Sequence, residues 1–335
     1  MGLKKYEEQK VETKEPTEVP EVVEEETPLE LDENQQDIAN DINKKRDEYL
    51  AFTKKQKRIN YIITGVDALV LIGALIMVVL GSKDTSMANV YIGVGFGIMI
   101  LVLVATYISS HYMKKNLMSK AQVYIDYMYN SINRYIYDDK RVIDLEIKPR
   151  EQMDPSFFMK GHFYKDLVGA KSRNFNFFKF KQCGVSVADL AGNTKIKGKL
   201  SPKFLGRFYS INAPIKTDGK VTLFQLKGGK LSVPLDDVDE LKLVEGTDKY
   251  CIYTNDPNYK NYLNSKVISE IAKFKITNTL IDVIISISDN LISLGIDYSD
   301  EFMNIPVDSN FSFKDTEVSK KDLNKVLNVL ELLVK

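Results

Sequence analysis

Residues 59–81, INYIITGVDALVLIGALIMVVLG, and residues 90–108, VYIGVGFGIMILVLVATYI, decide how the rest of the chain is read. The first stretch carries one ionisable residue, Asp67, and the second carries none. At about 1.5 Å of rise per residue, either stretch crosses a hydrocarbon core of about 30 Å as a helix. Backbone groups in lipid must satisfy one another, and an uninterrupted apolar run does so by coiling. The expectation is a membrane hairpin with spans at 59–81 and 90–110 and a short external loop at 82–89.

The flanking charges orient it. Lys44, Lys45, Arg46, Lys54, Lys55, Lys57 and Arg58 precede the first span, and His111, Lys114, Lys115 and Lys120 follow the second. The loop holds Lys83, balanced by Asp84. The positive-inside rule then places both termini in the cytoplasm of a two-pass protein of a bacterial cell membrane, with the bilayer as its first partner.

Two features inside the spans call for an account. Gly93 and Gly97 form a small-xxx-small pair, and Gly73 and Ala74 lie at similar depth, so these glycines are expected to let the helices approach. Asp67 lies about 12 Å in from Ile59. An intramembrane acid suggests an ion or proton path. The plainer reading is a tie between the helices, for which Thr106 or Tyr107 has the right depth.

The segments around the hairpin divide by pattern. Residues 1–36 read as an acidic disordered tail: thirteen acids and four bases fall within residues 1–38, with Pro16, Pro20 and Pro28 among them. It is a solvated tail or an interaction segment. Residues 37–58 are helical, with Ile38, Ile42, Tyr49 and Phe52 near one face. Over 111–139, Met113, Leu117, Ala121, Tyr124, Met128, Ile132 and Tyr135 form one stripe. The two helices form an antiparallel stalk, or their Tyr-rich face docks on the soluble part.

From 140 to 335 the period changes to two. Strands are expected at Val142–Ile147, Phe175–Phe180, Val185–Leu190, Leu205–Ile211, Val221–Leu226, Leu231–Leu235, Leu241–Val244 and Tyr250–Thr254, with tight turns at Asp218-Gly219 and Gly228-Gly229. Asp256-Pro257 opens a helix to about Phe274 that breaks at Asn264-Ser265. Ile281–Ser288 and Leu291–Asp297 flank Asp289-Asn290 as a hairpin. Ser319 and Asp322 read as a capping box for a last helix with Leu323, Val326, Leu327, Leu330, Leu333 and Val334 on one face. The fold class is α+β: a two-helix transmembrane hairpin with helical cytoplasmic extensions, then a mostly antiparallel β-rich domain with late helices.

Chemistry is harder to find. Cys183, Cys251, His111 and His162 show no C-x-x-C or H-x-x-x-H spacing, so neither metal nor cofactor is expected. No P-loop or nucleophile elbow occurs, and no catalytic residue can be assigned. The unusual feature is basic. Between Leu167 and Ile211 stand nine bases, Lys171, Arg173, Lys179, Lys181, Lys195, Lys197, Lys199, Lys203 and Arg207, against one acid, Asp189. Alternation would place the interleaved Phe and Tyr rings in the core and the bases on the other face. That face would meet anionic lipid headgroups or an acidic protein partner, the chain's own tail included. Nucleic acid ranks last, since core packing accounts for the rings, and an ordinary solvated Lys-rich face stands beside all three.

Several segments resemble the bacterial membrane proteins grouped as domain of unknown function 3137. They are Ser156-Phe157-Phe158, Phe163–Gly169, Phe204-Leu205-Gly206-Arg207-Phe208, Tyr250–Asp256, Tyr262–Ile271, Asp289-Asn290-Leu291 and Glu301-Phe302. The acid usual after the Phe-rich strand is not evident near Phe175–Leu190. The resemblance implies a membrane hairpin, a helix and a β-rich domain with a late helix and hairpin, and no activity. The expected function is a membrane-anchored, non-enzymatic interaction or scaffold module. The alternatives are a membrane-anchored enzyme with an unidentified carboxylate or hydroxyl site, and a subunit of a homo-oligomer or larger membrane complex.

Overall fold

Two helices of 49 residues each, α1 (Glu33–Gly81) and α2 (Ala88–Ile136), run the length of the hairpin. The computed structural model describes residues 31–83, 88–160, 167–196, 199–225, 241–247, 249–274, 280–298 and 309–334. Residues 1–30 of the expected tail, residues 84–87 of the loop, the strand at Leu231–Leu235, the Gly228-Gly229 turn, His162 and Lys197 lie outside them.

Helix α1 starts earlier than its apolar periodicity suggests. The Asp32 carboxylate accepts from the Gln35 backbone N–H at 2.7 Å, and the Gln35 side chain accepts from the Asp32 N–H at 2.9 Å. This capping box satisfies two otherwise orphaned donors, so residues 33–36 are helix rather than tail. From there both helices continue without a break, each about 73 Å long. Their least exposed positions alternate by three and four residues, as in Gln35, Ala39, Ile42, Arg46 and Tyr49 on α1. That 3.5-residue period is the seam of an antiparallel coiled coil. Tyr49 stacks on Tyr124 across it, ring centroids 6.0 Å apart.

The two sequence readings of the stalk both hold. Met113, Leu117 and Ala121 of α2 face the α1 seam, whereas Tyr124, Met128, Ile132, Tyr135 and Ile136 are buried in the main core with residues of the sheet. Within the apolar windows only 6% of residues are buried, so Leu69, Leu75, Leu101 and their neighbours present bare hydrocarbon outward. A core helix of a soluble protein of this composition would be mostly covered. These are two helices long and apolar enough to cross a membrane.

Among the described residues a nine-stranded antiparallel sheet follows: β1 (Ile143–Lys148), β2 (Leu167–Phe180), β3 (Cys183–Ile196), β4 (Lys199–Asn212), β5 (Val221–Gln225), β6 (Lys242–Gly246), β7 (Tyr250–Thr254), β8 (Leu280–Ser288) and β9 (Leu291–Tyr298). The order is β1-β2-β3-β4-β9-β8-β5-β7-β6. β2, β3 and β4 each have 14 residues, longer than their hydrophobic stretches, because alternation survives while their ends turn polar. The Asp289-Asn290 hairpin forms as expected, with Asn290 at φ 57°. Asp218-Gly219 does not join neighbouring strands: β4 and β5 are separated by the β8–β9 hairpin, which inserts between them from later in the chain.

Each face of the sheet has its own core. On one, Val185, Val187, Tyr209, Ile211, Ile285 and Leu294 pack under α2, α4 (Ser265–Ile271) and α5 (Lys314–Leu333). On the other, α3 (Pro155–Lys160) brings Phe158 to 5.1 Å, centroid to centroid, from both Phe204 and Phe208. Gly206 between those two phenylalanines lies against β9, where a Cβ would collide with the Ile296 carbonyl. The two aromatic segments quoted above therefore meet in space.

The late helices correct two sequence expectations. Residues 256–274 divide into a 3-10 turn at Tyr259–Asn261 and α4, capped by Asn264, with the break where expected. α5 opens at Lys314, not at Ser319. Ser319 and Asp322 are buried on its inner face, where Asp322 accepts a hydrogen bond from the Tyr298 hydroxyl at 2.7 Å. Its predicted apolar positions are all buried.

Candidate functional site

Three places hold the residues that sequence singles out: the helix seam, the joint between α2 and the sheet, and the open end of β2–β4.

In the seam, Thr106 donates its hydroxyl to the Asp67 carboxylate at 2.7 Å and lies 2.8 Å from the Val102 carbonyl oxygen. Asp67, Ala74 and Gly81 recur every seven residues on α1, which keeps them on one face. Gly95 meets Ala74: a Cβ there would stand 2.5 Å from Val78 Cγ2 and 2.9 Å from the Ala74 carbonyl oxygen. Gly73, Gly93 and Gly97 have no atom within 4 Å of such a Cβ. The expected packing glycines are thus on the wrong face. Gly95 lies between Gly93 and Gly97 in sequence, about 200° around the helix from either. It shares a face with Thr106, three turns away.

At the joint, a polar chain runs from α2 into the sheet. Asn133 Nδ2 donates to Asn174 Oδ1 at 2.5 Å, and Asn174 Nδ2 to Asp189 Oδ2 at 2.9 Å. Arg207 closes the chain, with Nε and Nη2 donating to Asp189 Oδ1 at 3.0 and 2.9 Å. Asp189 and Arg207 are cross-strand partners on β3 and β4. Asn174 adopts a positive φ of 53° at the register shift in β2, which aims its amide between helix and strand. Burial is the largest influence on Arg207 and opposes its charge, but Asp189 together with Tyr137, Tyr209 and Tyr298 outweighs it, so the guanidinium is held firmly protonated. Burial pushes the Tyr137 hydroxyl up to about 12 and raises Tyr209 and Tyr298 well above the ordinary range, with Arg207 pulling each back. No proton moves easily among such groups near neutrality, so the cluster is a fixed joint.

Arg207, at 1% exposure, is therefore not a surface-binding residue. Its parity with Tyr209 and Ile211, and that of Asp189 with Val185 and Val187, is the sequence signal that could have placed the pair in the core. The other bases do not form one face either. Lys179 pairs with Asp144 at 2.7 Å, and Lys181 donates to the Val334 carbonyl at 2.5 Å, both at the β2–β3 turn. Lys171, Arg173, Lys195, Lys199 and Lys203 occupy the opposite end of these strands. A cavity of about 200 Å³ opens there between Lys171, Arg173, Asp189, Ala191, Leu205 and Gly206.

Further joints tie α1 to the domain. Gln35 Nε2 donates to the Tyr135 hydroxyl at 2.6 Å and to Glu317 of α5 at 2.7 Å. Arg46 bonds Asn310, and Asn43 accepts from the Phe311 N–H at 3.0 Å. Cys183 and Cys251 are buried, and burial raises both thiols, Cys251 to about 11. Among the described residues no three His, Cys, Asp or Glu side chains are grouped to hold a metal ion.

No family model matches the chain, and no curated protein matches it. Among solved structures it is similar to the crystal structure of the mycobacterial trehalose monomycolate transport factor A, TtfA. The identity is 10% and the TM-score 0.35, over 61% of this chain and 96% of that one. An overlap at that level leaves function to be argued from this chain's own residues.

Proposed function

We propose that the chain is a two-pass membrane protein with both termini cytoplasmic, whose hairpin carries an α+β domain that binds partners rather than turning over a substrate. One observation carries the reading: each long helix passes unbroken from an exposed apolar window into the folded domain, α2 into the main core and α1 alongside it through Ala39, Ile42 and the Gln35 bonds to Tyr135 and Glu317. A head fixed in this way is held at a set distance and angle from the bilayer. That geometry suits a scaffold. The resemblance to domain of unknown function 3137 belongs to the same proposal.

Orientation is tested by single thiols, because the native Cys183 and Cys251 are buried. Lys83→Cys at the hairpin tip should react with an impermeant maleimide in intact cells. Asp289→Cys should react only after lysis. The reverse pattern overturns the topology. For the interaction role, cross-linking in native membranes followed by purification should recover a stoichiometric partner; recovery of the chain alone overturns the scaffold.

A further inference from the structure

The domain is fixed to α2 in a known sense. Descending α2 toward the apolar segment, Tyr137 lies 5.5 Å from Phe178, Asn133 bonds Asn174, and Asp126 accepts from Arg150 at 2.6 Å. Phe178 and Asn174 descend β2 in the same order, and Arg150 follows the end of β1 that pairs with Phe175. The first half of β2, with the β3 and β4 segments paired to it, therefore points back along the helices toward the apolar windows.

Helical rise puts about 37 Å between Asn133 and Ile108 at the edge of the window. The strands take back about 20 Å of this between Asp189 and Lys195 at about 3.3 Å per residue. The remaining gap is on the order of 15 Å, of which the headgroup layer fills about 5–7 Å. A lysine side chain extends across much of what is left, its stem over apolar surface and its ammonium in the polar layer.

The residues at this end have that chemistry. Lys171, Lys195 and Lys199 are exposed and Lys203 is half-buried. Leu200 is 69% exposed and Val168 55%. Residues 167–173 and 190–206 contain no acid. Bare aliphatic side chains among unopposed lysines are costly in water and favourable at an anionic interface, where each base near the surface adds to the attraction. Lys54, Lys55, Lys57, Lys114 and Lys115 on the two helices fall in the same zone of the hairpin.

We propose that the open end of β2–β4 is a foot that rests on the bilayer its own helices cross, with Lys171, Lys195, Lys199 and Lys203 binding anionic headgroups and Leu200 entering the interface. This rests on the reading of α1 and α2 as spans.

The test uses full-length protein in nanodiscs of phosphatidylcholine alone or mixed with phosphatidylglycerol. Single cysteines at Leu200, Asp289 and Leu75 carry a fluorophore, and nitroxide lipids act as quenchers. Leu75 reports insertion and should be quenched in both lipids by acyl-chain nitroxide. Leu200 should be quenched by headgroup nitroxide in the anionic discs, and Asp289, at the far end of the sheet, in neither. Lys195→Glu with Lys199→Glu, or high salt, should abolish the Leu200 quenching. If Leu75 is quenched and Leu200 is not, the foot is wrong while the spans stand; if Leu75 is not quenched, both fail. Quenching at Leu200 equal in the two lipids overturns anionic recognition. Quenching that appears only after residues 1–30 are removed assigns this surface to the acidic segment and overturns the proposal.

Discussion

Thr106 on α2 donates its hydroxyl to Asp67 on α1, 2.7 Å away, and so gives the only acid of the two apolar windows a partner from the opposite helix. This is the tie that the depth of Thr106 suggests, and it makes a definite forecast. Asp67→Asn keeps an acceptor for the hydroxyl, so the folded hairpin and cellular function should survive. Thr106→Val strips the acid of its donor and should cost about 0.6 to 1.7 kcal/mol, the range measured for hydrogen bonds between membrane helices. Thr106→Ser should restore it. Thermal unfolding in detergent gives the ranking; a loss of function with Asp67→Asn at full stability would return Asp67 to a transport role.

Gly95 and Gly93 offer a paired comparison two residues apart. Gly95→Ala puts a methyl against Val78 and the Ala74 carbonyl, so the helices must separate, at about 1–3 kcal/mol for overpacking. Gly93→Ala meets open space and should be neutral. Disulfide cross-linking between engineered cysteines on α1 and α2 reads the separation directly. Equal effects at both positions would mean that the seam is not where the structure puts it.

The buried Asp189–Arg207 pair predicts a non-additive cycle. Asp189→Leu or Arg207→Met alone leaves an uncompensated charge in the core and should cost about 3–5 kcal/mol. The double substitution removes both charges and should recover most of that loss. Urea unfolding of the domain signal in the full chain measures each corner. Additive losses would show that the pair is not coupled, and that Asn174 and its neighbours hold the joint without it.

How much of this was legible beforehand depends on the range of the interaction. Periodicity is a local property, so the two long apolar helices, the α2 stripe, the Asp289-Asn290 hairpin and the buried face of α5 could all be read off. The cap at Asp32 was readable in principle, through Gln35 three residues later, but the acid-rich surroundings concealed it. Long-range choices were not readable. Which face of α2 meets α1 is settled by Asp67, Ala74 and Gly81 together, and a Gly93-Gly97 pair looks equally good in isolation. The insertion of β8–β9 between β4 and β5 leaves no local trace. Counting bases between Leu167 and Ile211 concealed that β-strand parity sends Arg207 inward, and that Lys179 and Lys171 lie at opposite ends of one long strand.

The start of α1 tests the boundary between tail and helix. Removing residues 1–30 leaves Asp32, Gln35 and the Gln35 bonds to Tyr135 and Glu317 intact, so stability should be unchanged. Removing residues 1–36 deletes the capping box, worth about 1 kcal/mol, and those bonds as well. The longer deletion should speed amide hydrogen exchange over residues 37–46 relative to the shorter one. Identical exchange in the two would place the fold boundary after Asp37.

Alkaline titration probes the joint from another side. Burial is the largest cause raising both Tyr135 and Tyr137 to about 12 from an ordinary value of 10.0, and the bond to Glu317 adds to it at Tyr135. A raised folded-state value means that folding favours the neutral phenol. The associated stability is complete below pH 10, falls as pH climbs through the interval toward 12, and has no acid limb. For the fully buried Tyr137 the two-unit shift corresponds to on the order of 2–3 kcal/mol. Urea midpoints should thus be flat up to about pH 10 and decline beyond it. Tyr137→Phe removes one of these ionisations, beside those of Tyr209 and Tyr298, and should make the decline shallower. Tyrosinate absorbance should lag in the folded chain and jump when urea is added at pH 11. A midpoint that falls steeply below pH 9, or a Tyr137→Phe variant with an unchanged alkaline limb, would contradict the assignment.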